Sequence, residues 1–380
     1  MASCRQELGT ITRHFGELED PRMDRTRRHE LLDIMTIAIC GVICGADSWV
    51  DFELFGKSKQ DWLAKFLRLP NGIPSHDTFG RVFARLDPDK FQSCFMDWVA
   101  AISQITQGQV IAIDGKTVRG SHDRANGKAA IHMVSAWASA NHLVLGQTKV
   151  DDKSNEITAI PELLEILELS GCIVTIDAMG CQTEIAQRII SKGADYVLAL
   201  KENQGGLHED VKDSFDYGHR SSFEDVEHDY YEVVNKGHGR IETRRCWSIS
   251  DREQLDYIDD HKLWEGLRSV IKVSSQREVG DQVSVETRYY ISSLRGSARK
   301  LLEATRTHWG IENRLHWVLD VAFDEDRSRV RKDHAPQNLA IIRHIALNLL
   351  KQETTSKGGV KARRKRAGWD EDYLITVLSQ

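Results

Sequence analysis

The sequence predicts an α/β protein: an all-helical N-terminal domain, then a mixed five-stranded sheet with flanking helices, interrupted by a mostly β insertion. Three observations predict this. Up to about residue 105 the apolar residues recur at helical spacing. From 108 they shorten into strand-length runs separated by turn residues, in the order βββαβαβ. After residue 201 come four further β-type runs, then two strongly amphipathic helices.

The elements follow in chain order. Residues 28–44, 50–66 and 87–105 carry helix-type periodicity and belong to an N-terminal helical domain spanning 1–105. Pro74-Ser75 opens another helix, with Ser75 as N-cap, running to about Leu86. That short helix and the next one match half of a helix-turn-helix, or a packing unit that touches no DNA. Residues 106–200 form the first part of the core. Strands are expected at 110–118, 130–138 and 142–150, with Asn141-His142 as the tight connection between the last two. A helix at 155–169 places Ile157, Ile160, Leu163, Leu164 and Leu167 on one face. Strand 173–176, helix 183–192 and strand 196–200 complete it. This order is that of an RNase H-like catalytic core, in which the first and fourth strands are neighbours. Residues 201–298 read as the β-rich insertion, with runs at 230–234, 240–249, 267–276 and 283–292. Residues 299–352 return to the core through helices at 298–321 and 336–352, the second with Leu339, Ile342, Ile345, Ala346, Leu349 and Leu350 on its apolar face. Residues 353–380 form a basic C-terminal tail.

Composition narrows the class. Hydrophobic content of 41% and charged content of 28% are those of an ordinary globular protein. A net charge of −6 argues against a uniformly basic surface, though two basic runs stand out, at 22–29 and 357–366. Each is read either as a phosphate-binding patch or as a solvated charge run, disordered in the case of the tail. The seven cysteines are scattered and form no paired CxxC set, which argues against a zinc knuckle and for a reduced, cytoplasmic compartment. The start lacks an apolar signal region, and the longest apolar run, 34–42, is too short to span a bilayer.

The chemistry lies in three acids. Asp114 follows Val110-Ile111-Ala112-Ile113, and Asp177 follows Ile173-Val174-Thr175-Ile176. Glu312 sits on the helix 298–321. A carboxylate at the end of a buried strand is costly unless it is paired or holds a cation. Oxygen-only ligation suits Mg²⁺, with Mn²⁺ as substitute. Two strand-terminal Asp and a helix-borne Glu form the set that two-metal phosphoryl transfer requires, with ions about 4 Å apart and nucleic acid as substrate. Alternatively, Asp114 and Asp177 cap turns before Gly115 and Gly180. His308, Glu312 and His316, spaced by four, offer a second metal reading as a His-Glu-His set. Further DNA contacts are expected from Lys116 and Arg119 after the first Asp, and from Lys201 and Asn203 after the fifth strand. His238 and Arg240 in a glycine-flanked turn, and His308 and His316, extend that set. Lys116 equally suits a carboxylate partner. Trp309 and Trp317 read as core residues rather than base-stacking groups.

The chain also resembles a known family. The motifs are Ile113-Asp114-Gly115-Lys116, Lys153-Ser154-Asn155-Glu156-Ile157, Asp177-Ala178-Met179-Gly180-Cys181-Gln182 and the segment 195–204. Gly237-His238-Gly239-Arg240-Ile241-Glu242, His308-Trp309-Gly310-Ile311-Glu312-Asn313, Leu315-His316-Trp317 and Leu319-Asp320-Val321 follow in order. These resemble the DDE transposases of bacterial insertion sequences, in the branch that includes the H-repeat-associated proteins of Rhs elements. The resemblance implies that Asp114, Asp177 and Glu312 are the catalytic, metal-binding acids. It implies Mg²⁺-dependent cleavage at element ends and joining of 3′-hydroxyls to target DNA by a homodimer or larger assembly, with no membrane partner. One departure stands out. Where such enzymes often carry Tyr, Arg and Lys around the Glu, this chain has Thr305, His308 and Leu319. Two other functions remain open: a nuclease without strand joining, and a catalytically inactive DNA-binding protein.

Overall fold

The computed structural model of the 380-residue chain describes residues 9–103, 107–122, 128–150, 155–237 and 239–380. Its centre is one mixed nine-stranded sheet of order β3-β2-β1-β4-β5-β9-β8-β7-β6. The strands are β1 Val110–Thr117, β2 His132–Ala138, β3 Leu143–Val150, β4 Ile173–Ile176, β5 Asp195–Leu200, β6 His228–Gly237, β7 Arg240–Ile249, β8 Ser269–Val279 and β9 Gln282–Ser292. The first three pair antiparallel, whereas β4 runs parallel to β1 and β5 parallel to β4. Strands β1 and β4 are continuous apolar runs because helices cover both faces there. The expected adjacency of these two strands is present, with Val110 opposite Ile173 and Ile113 opposite Ile176.

Residues 201–298 extend this sheet. Strand β9 pairs with the outer edge of β5, matching Val197 to Ser292 and Leu200 to Tyr289, so the edge N–H and C=O groups of β5 are satisfied. This segment is also less purely β than its sequence suggests. A 16-residue helix, Gly205–Arg220, lies within it and buries Val211, Ser214, Phe215 and Gly218. Its few apolar residues are outnumbered by His, Glu, Asp and Lys, and the helical period was lost among them.

The N-terminal helices Leu31–Ile43, Trp49–Ser58, Gln60–Leu63, His76–Arg85 and Pro88–Ile102 have no core of their own. One continuous apolar cluster runs from Ile11 and Phe83 through Ile113 to Leu349 and Leu378. The helix Ala335–Gln352 lies at its centre, and two buried Asn side chains fix it. Asn338 Nδ2 donates to the carbonyls of Phe83 (2.8 Å) and Leu86 (2.9 Å), and Asn348 pairs with both backbone groups of Val144 at 2.9 Å. Each bond satisfies a buried polar group, so together they specify one docking geometry. Ser75 does stand at the N-cap, but its hydroxyl meets Thr78 Oγ1 at 3.2 Å and makes no capping bond.

The expectation of a C-terminal basic tail is corrected, whereas in the run 22–29 Arg25, Arg27 and Arg28 stay exposed. The C-terminal residues are not a free tail: Val360–Trp369 and Glu371–Leu378 are helices folded onto the core. Buried Arg364 donates to the carbonyls of Val42 (2.9 Å) and Ala322, pairs with Asp47 at 2.9 Å and stacks over Phe323. It thereby takes up an end carbonyl of helix Leu31–Ile43. Within 22–29, Arg22 is buried in a bidentate pair with Asp20 and donates to the His29 carbonyl at 2.6 Å. No helix among the described residues is long and apolar enough to cross a membrane.

Candidate active site

The register of β1 and β4 brings Asp114 level with Asp177, one step past the Ile113–Ile176 pair. Asp177 ends its strand by capping the turn Ala178–Gly180, accepting from Met179 N at 3.1 Å and Gly180 N at 3.4 Å, both through Oδ1. A Cβ at Gly180 would collide with Ile176 Cγ2, so a side chain there would push Ile176 out of place. Asn203 braces it, donating to the Ala178 carbonyl at 2.7 Å. Asp114 accepts from Gly115 N at 2.9 Å, again through Oδ1.

The third acid arrives from a broken helix. The sequence suggested one continuous helix over 298–321. Instead an α-helix, Ala298–His308, gives way to a π-helical turn, Glu312–His316, and resumes as Trp317–Phe323. A π turn inserts a residue into the helical count and redirects side chains, a device concentrated at functional sites. It buries Leu315 while leaving Glu312 exposed to a cleft of about 1220 Å³ that Asp114 and Asp177 also line. A smaller cleft of about 590 Å³, lined by Glu227, Arg252 and Trp264, holds none of these acids.

Electrostatics set this corner apart. Burial, then the charge of Asp177, pushes Asp114 up to about 7, and Glu156 and Glu312 add to the rise. Asp177 is raised by burial and then by Glu156, against the backbone bonds at Gly180 and Met179 and the cation of Lys201. Glu156 opens the helix Glu156–Ile166, which Asn155 caps, and it pairs with His132 at 2.6 Å.

The histidines are neutral. Burial pushes His308 down to about 4, with its Nδ1 beside Thr175 Oγ1 at 3.1 Å. His316 is likewise held near 4 by burial and then by the Lys116 charge. Its Nδ1 lies 3.5 Å from Asp114 Oδ2, and its Nε2 is buried without a partner among the described residues. The two rings therefore serve different strands and do not converge with Glu312.

The expected DNA-contacting residues scatter. Lys116 is largely buried and ion-paired to Asp320 (2.7 Å), Glu325 (2.9 Å) and Asp326 (3.3 Å), the carboxylate partnership the sequence left open. Arg119 is exposed, 3.5 Å from Asp326. Lys201 and Asn203 lie on the cleft rim. Arg240 is on the β6–β7 hairpin, paired with Glu242 at 3.1 Å. His238 lies outside the described residues. Of the three departures around Glu312, Thr305 and Leu319 are buried. Trp309 and Trp317 are not core residues, with relative exposures of 41% and 60%. Trp309 is covered on one face by the Arg288 guanidinium at 4.3 Å.

Several cleft residues carry no signal in the sequence. Arg288 of β9, with His208 and Lys212 of the insertion helix, lines the cleft. The β5–β9 pairing carries Arg288 there, and the helix that follows β5 carries His208 and Lys212. Glu156 stood inside a noted motif without a role.

Among the described residues no three His, Cys, Asp or Glu side chains are gathered closely enough to form a ready-made metal cage. The donor chemistry nonetheless fits a hard divalent cation. The donors are carboxylate oxygens, Asp114 and Asp177 lie level on neighbouring strands, and their mutual repulsion is what such a cation relieves.

Comparison with known proteins gives the family. The "Transposase DDE domain" family matches residues 105–349, and a "DDE_Tnp_1-associated" family matches residues 12–99. The chain is 43% identical to "Putative transposase YncI" of Escherichia coli O157:H7, covering 98% of this chain and 95% of the relative. It is 40% identical to "H repeat-associated putative transposase YhhI" of Escherichia coli (strain K12), covering 98% of both. A shorter relative, "Inactive transposase YbfQ" of the same strain, is 39% identical over 21% of this chain and 94% of its own length. Among solved structures, a piggyBac transposase synaptic complex with hairpin DNA overlays with a TM-score of 0.42 at 12% identity, over 96% of this chain and 76% of that one. That overlay is too slight to bear on function. On the family match across most of its length and two full-length relatives, this chain belongs to the DDE-domain transposase family.

Proposed function

We propose that this chain is an active DNA transposase: it binds element ends, cleaves DNA strands and joins the freed 3′-hydroxyls to target DNA. The observation that carries the proposal is the meeting of Asp114 and Asp177 on neighbouring parallel strands, with Glu312 facing the same cleft. In this reading the five strands β1–β5 are an RNase H-like core, residues 201–298 an insertion within it, and residues 1–105 an accessory DNA-binding region.

Asp114, Asp177 and Glu312 would hold one or two Mg²⁺ ions, which when bound supply Lewis-acid activation of a water or 3′-hydroxyl and charge stabilisation at phosphorus. The protein's own contribution is placement. The Asp177 turn leaves Oδ2 clear of its two capping bonds. Neutral His316 flanks Asp114 without supplying a competing positive charge. Lys201, Lys212 and Arg288 line the cleft with cations suited to phosphate. Two joined ends require at least a dimer.

The test incubates purified chain with labelled end DNA and MgCl₂. Cleavage and strand-joined product are expected from the parent, and neither from Asp177→Ala. Nicking without joined product would favour a nuclease. DNA binding without cleavage, unchanged in Asp177→Ala, would favour an inactive DNA-binding protein.

A further inference from the structure

The three acids do not account for all the negative charge at this corner. Glu156 belongs to another element, the first turn of helix Glu156–Ile166, and its carboxylate lies against the backbone immediately after Asp114. The space it uses is that of a missing side chain: a Cβ at Gly115 would collide with both Glu156 Oε1 and His132 Nε2. Gly115 has an ordinary strand conformation, so its lack of a side chain serves approach rather than backbone freedom. His132 pairs with Glu156 at 2.6 Å, and Thr117 Oγ1 meets the other ring nitrogen at 2.8 Å, so both faces of the imidazole are fixed by β1 and the helix. Side chains alternate along β1, so Gly115 faces away from Asp114, but β4 stops at Ile176 while β1 runs on to Thr117, and Ile157, next to Glu156, lines the cleft that Asp114, Asp177 and Glu312 share. The Glu156 charge reaches both aspartates.

We infer that Glu156 is a fourth carboxylate of the acid site, taking part in holding the divalent cation, with His132 as its positioning residue. This rests on the proposed function of Asp114, Asp177 and Glu312. It gives the glycine after the first Asp a physical purpose: it admits a charge from a neighbouring helix to the end of β1.

The test is thermal unfolding of the full chain in EDTA and then across a MnCl₂ titration, for the parent, Asp177→Ala, Glu156→Gln and Glu156→Asp. Glu156→Gln keeps the shape and a bond to His132 while removing a charge that repels its neighbours. Expected is an unfolding temperature in EDTA equal to or above the parent's, with the Mn²⁺ concentration for half-maximal stabilisation raised at least tenfold. Glu156→Asp keeps the charge but retracts it, and an intermediate shift is expected. Gly115→Ala, which displaces Glu156, should follow Glu156→Gln. Should Glu156→Gln fold poorly, Glu156→Asp and Gly115→Ala decide. A lower unfolding temperature in EDTA with an unchanged Mn²⁺ midpoint would make Glu156 merely structural and overturn the inference. A parent that Mn²⁺ stabilises, an Asp177→Ala variant that it does not, and a Glu156→Gln variant like the parent would overturn the Glu156 assignment alone. A parent indifferent to Mn²⁺ would overturn both this assignment and the site it extends.

Discussion

Asp114 and Lys116 are two residues apart on one face of β1, and they sit in opposite electrostatic worlds. Around Lys116, three carboxylates share a largely buried ammonium, and Arg343 approaches Glu325 at 3.5 Å from the central helix. Burial pushes Glu325 up, but Lys116 and then Arg343 more than offset it, so it stays below the usual carboxylate range. Around Asp114, by contrast, the neighbours are acids and a neutral histidine, and its pKa rises to about 7. One cluster is compensated internally and ties β1 to the segment after Glu312. The other is left in want of a cation. The difference teaches where to look for chemistry: buried charge matched by the protein is structure, and buried charge left unmatched is a site.

The largest effect should come from the unmatched cluster. Removing one acid that holds a cation forfeits several kcal/mol of transition-state stabilisation, so Asp114→Asn should lose about 10³-fold or more in cleavage rate. The same variant should unfold in EDTA no more easily than the parent, because a repulsion has been removed. Loss of stability comparable to the loss of rate would erase the contrast.

The matched cluster should respond the other way. Glu325→Gln leaves buried Arg343 without its carboxylate and takes one of three from Lys116, and should cost roughly 3–5 kcal/mol in denaturant unfolding. The pH dependences should oppose each other too. Glu325 is depressed in the folded chain, so its contribution is full above its unfolded pKa and fades as pH falls through the lower folded value. Asp114 is raised, so without metal it favours the fold at low pH, and that benefit is lost as pH climbs from about 4 toward 7. Comparing unfolding free energy from pH 3 to 8 for the parent, Asp114→Asn and Glu325→Gln separates the two slopes.

Smaller effects sharpen the boundary. Arg364→Ala removes buried bonds to the carbonyls of Val42 and Ala322 and the ion pair with Asp47, and should cost about 1–3 kcal/mol. Trp317→Ala, on a ring 60% exposed, should fall within about 0.5 kcal/mol of the parent in stability. Any fall in DNA affinity in that variant then reports contact rather than packing.

What the sequence disclosed follows from these physics. Strands β1 and β4 were legible to within a residue because their apolar runs are unbroken up to the acid, although Asp114 stands within β1, three residues before its end, and only Asp177 ends its strand. The helix Gly205–Arg220 was not, since Leu207, Val211 and Phe215 are too few among polar neighbours to show a period. The basic C-terminal run misled because composition cannot tell a solvated arginine from Arg364, whose partners Val42 and Asp47 lie more than 300 residues away. The π turn at Glu312 has no local signal, and Trp309 and Trp317 were consigned to the core on size alone. The role of Glu156 depends on Gly115 making room, a fact of two separate segments.

The most direct test of the central claim is anomalous scattering from manganese in the chain assembled on end DNA. The account predicts Mn²⁺ density between Asp114, Asp177 and Glu312, against a backbone phosphate. Manganese elsewhere, or Glu312 beyond ligation distance of the two aspartates in that assembly, would contradict it.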